Sequence, residues 1–298
     1  MTSGLVIVDK PPDWTSHDVV GRLRRLAGTR KVGHAGTLDP MATGVLVLGV
    51  NRATRLLGHL MLTEKEYLAT IRLGASTVTD DREGDLISGA SASHLTDDDI
   101  RGAVEPFRGD IEQVPSAVSA IKVDGQRAYA RVRAGEDVAL KARTVHVDTF
   151  EVDDIRVEVR PEEGTFRDVD VRVVCSSGTY IRALARDLGE SLGVGGHLTM
   201  LRRTRVGPFT LEHARTLDEL GTEFGVLDLD HAARLTFPAF EADEAQANDI
   251  RFGRVLASVD LGAPGPVAVF APGGEFLALY EAAGDGAKAI AVFATVTP

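Results

Sequence analysis

The chain of 298 residues is 44% apolar and 26% charged, which is typical of a soluble globular protein with one large domain or two smaller ones. No apolar run approaches the ~20 residues of a membrane helix, and the single cysteine excludes an internal disulfide framework and a cysteine-based zinc site. No basic segment precedes the first apolar run, at 5–8, so we expect no signal peptide and a cytoplasmic location.

The net charge of −11 is unevenly distributed along the chain. Residues 1–60 carry eight basic and four acidic side chains, and residues 176–210 carry five and two. The acidic excess lies in 61–110, with eleven acidic against five basic residues, and in 211–250, with ten against two. Local fields govern the binding of a polyanion, so the charge permits an RNA partner. Acidic loops that only solvate the protein explain the pattern equally well.

The first 110 residues predict strands with short helices between them. Residues 5–8 form an apolar strand that two prolines end, and a helix follows from Thr15 with Arg22, Arg24 and Arg25 on its polar face. The later patterns predict, in order, a buried strand at 44–50, an alternating strand at 66–74, a polar loop at 77–93 and a helix capped near Thr96.

The rest of the chain predicts further strands, one more helix and a β-rich end. Strands are predicted at 143–152 and 168–182, a helix at 183–193, and a turn and strand at 193–209. Strands separated by helix-bearing insertions predict a mixed α/β (α+β) domain with a mixed β-sheet over 1–235. Residues 236–298 predict a small β barrel or sandwich, from apolar runs at 255–261, 265–271, 274–282 and 289–296.

A single carboxylate, Asp39, stands among small and apolar residues in the stretch GHAGTLDPMATGVL, at 33–46. Pro40 restricts the backbone of the Asp, and three glycines give the stretch conformational freedom. An Asp before Pro-Met-Ala suits an Asx-turn or a helix N-cap. It also suits a nucleophile, because a carboxyl of pKa ~3.9 is ionised at neutral pH without a base. A nucleophile needs a cation that holds it and a site that excludes water.

The segment SSGTYIR, at 176–182, offers such a cation. If it is extended, Tyr180 and Arg182 lie on one face, where Arg182 can pair with Asp39 and Tyr180 can stack on a base. A strand end with a buried tyrosine and a surface arginine is an equally good interpretation.

Tyr67 and Leu201 are weaker candidates, for which core packing is the simpler interpretation. Tyr67 shares a predicted strand face with Ala69 and Ile71. Leu201 precedes a basic cluster whose members are natural phosphate contacts. The cluster contains Arg202, Arg203 and Arg205.

Several well-known signatures are absent from the sequence. The stretch at 33–46 lacks the GK[ST] ending of a phosphate-binding loop, and there is no H-E-x-x-H, no G-x-S-x-G and no cluster of metal-ligand residues. No motif therefore calls for a nucleotide, flavin or metal cofactor.

Five stretches, in order and spacing, resemble the bacterial tRNA pseudouridine-55 synthases of the TruB type. The resemblance covers about 3–210 and is most specific around Asp39, while the tail resembles a divergent PUA-like RNA-binding domain. The stretches are VDKPPDWTSHDVV (8–20), GHAGTLDPMATGVL (33–46), EKEYLATIRLGASTVTDD (64–81), QVPSAVSAIKVDGQRAYARVRAGEDV (113–138) and CSSGTYIRALARDLGESLGVGGHLTMLRRTRVGPF (175–209).

The resemblance implies isomerisation of one uridine in the T-loop of tRNA, by a monomer without cofactor. The base leaves the ribose at N1, turns and rejoins through C5. In this family's pattern Asp39 is the nucleophile, and Arg182 is the arginine that pairs with it. The pattern places Tyr67 on the target base, Tyr180 and Leu201 in the uridine pocket, and His34 at the opened T-loop. It places Lys10 in a KP motif that supports the active-site wall. Residues 115–140 match a clamp over the RNA, and the basic segments at 22–31, 127–133 and 202–205 would lie along the tRNA.

Two residues depart from the family pattern. Asp13 replaces a glycine, and a positive φ at that position would be less favourable for Asp but tolerated. Val118 replaces a residue that is commonly aromatic.

Two other function classes remain open. A non-catalytic tRNA-binding or tRNA-folding chaperone predicts that Asp39→Asn has no effect, while charge reversal at Arg202 and Arg203 removes function. A hydrolase of the glycosidase kind ranks last, because the stretch around Asp39 offers no second carboxylate.

Overall fold

The computed structural model describes residues 3–116, 122–123, 126–127, 140–160 and 164–294. Its helices are α1 (Ser16–Leu26), α2 (Leu57–Leu60), α3 (Asp97–Ala103), α4 (Ile181–Ser191), α5 (Leu217–Thr222), α6 (Leu229–Thr236) and α7 (Glu244–Arg251). Its strands are β1 (Gly4–Lys10), β2 (Val32–His34), β3 (Thr43–Val50), β4 (Lys65–Leu73), β5 (Ser76–Thr77), β6 (Leu86–Ser88), β7 (Gly109–Gln113), β8 (Lys122–Val123), β9 (Gln126–Arg127), β10 (Arg143–Arg160), β11 (Gly164–Cys175), β12 (Gly196–Val206), β13 (Phe209–Thr210), β14 (Leu227–Asp228), β15 (Ala239–Glu241), β16 (Val267–Phe270), β17 (Phe276–Ala283) and β18 (Gly286–Val292).

A mixed sheet forms the centre of the described chain. Its order is β14-β1-β3-β12-β4-β11-β10-β7, with β2 on β3 and β13 on β12. The pairs are antiparallel except β3 with β12, where Arg203 lies opposite Gly44. A Cβ at Gly44 would lie 2.2 Å from the Arg203 carbonyl oxygen, and φ there is +98°, so this close parallel pairing requires glycine.

Both faces of the central sheet are covered. Along β1, Val6 and Val8 pack into one core with α1 and α4, whereas Leu5 and Ile7 pack into a second core on the other face. Side chains alternate between faces along a strand, so β1 is apolar at every one of these positions. The predicted mixed α/β domain is confirmed.

The β-rich C-terminal part contributes to the second core. Its sheet has the order β15-β16-β17-β18, and it places Phe270, Phe276 and Phe293 in the same apolar cluster as Leu5 and Val47. The predicted runs at 265–271, 274–282 and 289–296 contain strands, but the predicted strand at 255–261 was wrong. That segment makes one isolated bridge, from Leu256 to Ala287, because its polar residues interrupt the apolar run.

Two further expectations were wrong in detail. The segment 176–182 is not an extended strand, because β11 ends at Cys175 and α4 begins at Ile181, two residues before the predicted helix start. The segment 77–93 is not entirely loop, because β5 and β6 pair within it. In the first case the turn between the strand and the helix was missed, and in the second a short strand pair was missed in a predicted loop.

Helix α1 places one wall of the site. Thr15 caps it through a reciprocal pair of hydrogen bonds with Asp18, in agreement with the helix predicted from this residue onwards. The next residue, Ser16, accepts from the amide of Leu38 at 2.9 Å and donates to its carbonyl at 3.1 Å. The start of α1 therefore fixes the backbone immediately before Asp39.

Most of the predicted clamp segment, 115–140, lies outside the described residues. So do the side chains of the basic segment at 127–133 and the departure at Val118. The other departure, Asp13, has φ +64°, as expected for a position where the family pattern has glycine.

Candidate active site

A cavity of about 270 Å³ opens where the Asp39 loop, β4, β12 and the turn before α4 meet. Every residue that the family pattern places at the target uridine lines it, whereas His34, which the pattern places at the opened T-loop, does not. The residues that line it are Gly36, Thr37, Leu38, Asp39, Met61, Lys65, Tyr67, Ser177, Gly178, Thr179, Tyr180, Ile181, Arg182, Leu201 and Arg203.

Asp39 and Arg182 form a two-pronged ion pair in this cavity. Nε of Arg182 lies 3.0 Å from Oδ2 of Asp39, and Nη2 donates to Oδ1 at 3.2 Å. The arginine side chain is 7% exposed, whereas the carboxylate remains 33% exposed towards the cavity. No described helix begins directly after Asp39. Its carbonyl accepts from the Ala42 amide at 3.1 Å in a turn, but its side chain pairs with Arg182, as the family pattern predicted.

A buried lysine holds the backbone after Asp39. Nζ of Lys10 donates to the carbonyls of Pro11 at 2.9 Å, Trp14 at 2.6 Å and Pro40 at 3.0 Å. The amide of Asp13 also donates to the Pro40 carbonyl, at 2.9 Å. Burial lowers the pKa of Lys10 to about 8, although the Asp39 carboxylate opposes this shift. The supporting role predicted for Lys10 has a direct structural basis.

Arg203 holds the other side of the same loop, so its predicted role as a phosphate contact was wrong. Its side chain is buried, and it donates to the carbonyls of Val45 at 2.7 Å, Gly36 at 3.2 Å and Thr37 at 3.5 Å. The alternation of β12 turns Arg203 inwards and Arg202 outwards, where Arg202 pairs with Asp9 at 2.7 Å. Charge reversal at Arg203 would disrupt the site itself, so it cannot test a chaperone.

A second carboxylate, Asp81, was missed in the sequence. Its Oδ2 lies 3.3 Å from Nη1 of Arg182, and Nη1 also donates to the Thr79 carbonyl at 2.8 Å. Its Oδ1 accepts from the Thr79 hydroxyl at 2.6 Å and the Glu83 amide at 3.0 Å. The Thr-Asp-Asp run after β4 was the available signal, but it was interpreted as part of a solvated loop. Arg182 is thus shared by two acids, of which only Asp39 lines the cavity.

Opposing effects act on the ionisation of Asp39. Burial raises the pKa of this carboxyl, and the Asp81 carboxylate adds to the rise. The Arg182 guanidinium lowers it through its charge and its hydrogen bond. The pKa of Asp39 therefore lies above the ordinary value for Asp, and the arginine limits the size of this rise.

Two tyrosines form apolar walls beside Asp39. Tyr67 is buried on β4, and burial raises the pKa of its phenol, so the hydroxyl stays protonated at neutral pH. The backbone of Tyr180 is held by Gln113, whose side chain donates to its carbonyl at 2.9 Å and accepts from its amide at 2.8 Å. Leu201 contributes a buried side chain from β12. Gln113 was not singled out in the sequence, because a lone Gln carries no motif.

His34 lies at the end of β2, outside the cavity lining. Its ring packs edge-on against His17 with 5.9 Å between centroids. Burial, followed by the neighbouring His17, lowers the pKa of His34, so its ring is neutral at physiological pH. The structure thus brings together Asp39, Tyr67, Tyr180, Arg182 and Leu201, and places His34 beyond the pocket.

Replacing Lys10 by Met is expected to lower the free energy of unfolding by about 2–4 kcal/mol, because three carbonyls lose a charged donor. The Asp39 loop then becomes less well held, so the enzymatic activity of the site falls too. Urea unfolding measures the loss of stability, and initial rates measure the loss of activity. Lys288→Met removes an exposed lysine and should stay within ~0.5 kcal/mol of wild type. Equal stability of the two variants would contradict the supporting role of Lys10.

Family models match almost the whole chain. Residues 24–181 match TruB family pseudouridylate synthase (N terminal domain), residues 182–235 match tRNA pseudouridylate synthase B C-terminal domain, and residues 237–294 match tRNA Pseudouridine synthase II, C terminal. A tRNA pseudouridine synthase B of Arthrobacter sp. (strain FB24) is 61% identical, over 99% of this chain and 97% of its own. That of Thermobifida fusca (strain YX) is 58% identical over 99% of both chains.

Solved structures show the same fold. "Structure of H/ACA RNP bound to a substrate RNA containing 2'-deoxyuridine" aligns with TM-score 0.71 and 26% identity, over 98% of this chain and 85% of that one. "Crystal Structure of a Cbf5-Nop10-Gar1 Complex" aligns with TM-score 0.70 and 28% identity, over 98% and 84%.

Two negative findings apply to the part of the chain that the structure describes. None of its helices has the length and apolarity of a membrane span. No group of three or more His, Cys, Asp or Glu side chains in those residues is placed to hold a metal ion. The family models and the full-length relatives agree with the sequence resemblance, and the chain belongs to the TruB family of pseudouridylate synthases.

Proposed function

We propose that this protein isomerises a uridine in the T-loop of tRNA, at position 55, with Asp39 as the nucleophile. The observation that carries the proposal is the ion pair of Asp39 with Arg182, on the wall of a base-sized cavity lined by Tyr67 and Tyr180. The tRNA substrate follows from the names of the full-length relatives. The position in the T-loop rests on the family resemblance.

The cavity is recessed below the protein surface, so the target base must leave its stack in the RNA before it can contact Asp39. Extrusion of a base costs a few kcal/mol, and aromatic stacking recovers about 1–3 kcal/mol. In the proposed reaction the bond from C1′ to N1 breaks and a bond from C1′ to C5 forms. The C5 proton is lost, and N1 gains one. Asp39 attacks the flipped nucleotide while Arg182 keeps its carboxylate oriented.

The surface roles are proposals of the same kind. The basic segments at 22–31 and 202–205 lie along the tRNA, with Arg203 excluded because it is buried. We propose that residues 115–140 close over the T-arm, that His34 helps to open the T-loop, and that 236–298 form a PUA-like RNA-binding domain beside a catalytic domain at 1–235. The protein acts as a cytoplasmic monomer and needs no nucleotide cofactor.

The decisive experiment is tritium release from tRNA labelled at C5 of uridine, with binding followed by filter retention. Release by the wild-type protein from full-length tRNA and from an isolated T-arm supports the isomerase and its substrate. Binding without release would favour the alternative, a tRNA-folding chaperone. A hydrolase is disfavoured, because Asp81, the second carboxylate, does not line the cavity and both its oxygens are engaged.

Tyr67→Phe is expected to keep tRNA binding within about threefold and to lower tritium release by about 10²–10⁴-fold, as for the loss of a proton-transfer group. The ring still stacks on the base, but the variant lacks the hydroxyl to which the family resemblance gives a part in proton removal at C5. Tyr280→Phe removes a phenol from the C-terminal sheet and should leave release unchanged. Full release by the Tyr67 variant would limit Tyr67 to stacking.

A further inference from the structure

Met61 lies at the rim of the cavity, where its side chain is only partly covered by protein. It belongs to the turn between α2 and β4, and it lines the cavity that contains Asp39. Its side chain is 45% exposed, whereas the aliphatic residues of the described cavity wall, Leu38, Ile181 and Leu201, are 4–5% exposed. A large apolar side chain is therefore accessible to a group that enters the cavity.

The turn that carries Met61 is held by the end of α2 and by a buried lysine. The Met61 amide donates to the Leu57 carbonyl at 2.9 Å. The Met61 carbonyl accepts from Nζ of Lys65 at 2.7 Å, and the same ammonium donates to the Thr63 carbonyl. Lys65 is 5% exposed, and a buried ammonium is unfavourable without acceptors. Lys65 is therefore tied to this turn, and it fixes the backbone that directs the Met61 side chain.

A methionine at the rim suits a planar ring that enters and leaves the cavity. Its thioether is polarisable and makes favourable contacts with aromatic rings, and its rotatable bonds let it adjust to the ring. An exposed apolar side chain is also stabilised when a partner removes it from water. In the proposed function the group that enters the cavity is the flipped target base. The uracil ring is therefore the partner that would cover Met61.

We infer that Met61 packs against the uracil ring of the target uridine at the cavity rim, and that Lys65 is the positioning residue that holds Met61 there. The inference rests on the proposed function, since base flipping brings the ring to the cavity. The contact is made with the base and not with the RNA backbone. Loss of the Met61 side chain should therefore weaken RNA binding only when a base is present at the target position.

The test compares two T-arm RNAs, one with the target uridine and one with an abasic ribose at the same position. Met61→Ala should weaken binding of the uridine RNA about three- to tenfold and change binding of the abasic RNA by less than about twofold. Met61→Leu keeps an apolar side chain of similar volume, so it should bind both RNAs within about twofold of the wild-type protein. Filter retention measures all of these affinities.

The matched control is Met200→Ala on β12. Met200 is 38% exposed, close to the value for Met61, but it points away from the cavity because the next residue along the strand, Leu201, lines it. This variant should bind both RNAs within about twofold of the wild-type protein. If Met61→Ala weakens both RNAs equally, or weakens neither, Met61 does not contact the target base and the inference is wrong.

Lys65→Met tests the positioning role. It should weaken binding of the uridine RNA when Met61 is present and add nothing in the Met61→Ala chain, where the contact that it positions is already lost. Losses that multiply would overturn the positioning role of Lys65. The Met61 variants change no buried residue, so they decide the contact even if the Lys65 variant does not fold. All arms measure binding, so an absence of tritium release would remove the proposed isomerase without deciding this result.

Discussion

Replacing Asp39 by Asn is expected to lower single-turnover tritium release by at least about 10⁴-fold, the scale reached when a nucleophile is removed. The amide has nearly the same shape as the carboxylate but carries no charge and does not attack. Binding of tRNA should change by less than about threefold, because Asp39 lies within the cavity and contributes no positive charge to the RNA surface. Filter retention and tritium release in the same reaction measure both quantities.

The matched control for this change is Asp170→Asn on β11. Its side chain is 33% exposed, as is that of Asp39, and it is paired with an arginine, Arg156. The two variants therefore lose a comparable ion pair, but only one loses a group in the cavity. Equal rates in the two variants would eliminate Asp39 as the nucleophile. Loss of binding in the Asp39 variant would instead assign the residue to RNA recognition.

Replacing Arg182 by Met is expected to lower kcat/KM by about 10²–10³-fold at neutral pH. Asp39 and Asp81 would then face each other without the cation that both contact. Asp39, the proposed nucleophile, would lose its orientation as well as its counter-charge. Because Arg182 acts through Asp39, it is a positioning residue, and the rate alone does not separate its role from a purely structural one.

The pH dependence separates the two roles. The proposed attack requires ionised Asp39, so activity is expected to be lost as the pH falls through its pKa, which burial already raises in the wild-type protein. Without Arg182 this pKa rises further, so the acid limb of the kcat/KM profile should move up by at least about one pH unit. Rates measured across the acid range, with binding as a reference, give the two profiles.

Arg72→Met is the matched control. Arg72 is another largely buried arginine, and like Arg182 it uses Nε and Nη2 to bind a carboxylate, that of Asp168. Its loss should lower stability as measured by urea unfolding and leave the acid limb in place. An acid limb that shifts equally in both variants, or in neither, would contradict the role of Arg182 as the counter-charge of Asp39.

Much of the site could be predicted from the sequence because its residues lie in short stretches with specific local patterns. Asp39 was marked by the surrounding glycines and Pro40, and the helix before it by its predicted start at Thr15, and the structure has both features. Asp81 and Gln113 could not be predicted in the same way. Each reaches the site through a partner that is distant in sequence, Asp81 by an ion pair with Arg182 and Gln113 by hydrogen bonds to Tyr180.

By itself, the sequence determined the mixed α/β fold class and the acid that lies in the cavity. The family pattern in the sequence also identified Arg182 as the partner of that acid. Only the tertiary structure decided which cations remain near the surface and which hold the Asp39 loop. Arg202 and Arg203 are adjacent and chemically identical, yet the pleat of β12 turns one towards Asp9 and buries the other against the carbonyls around Asp39. Adjacent residues of a strand point to opposite faces, and two identical arginines carry no apolar difference that would show in advance which of them meets the core.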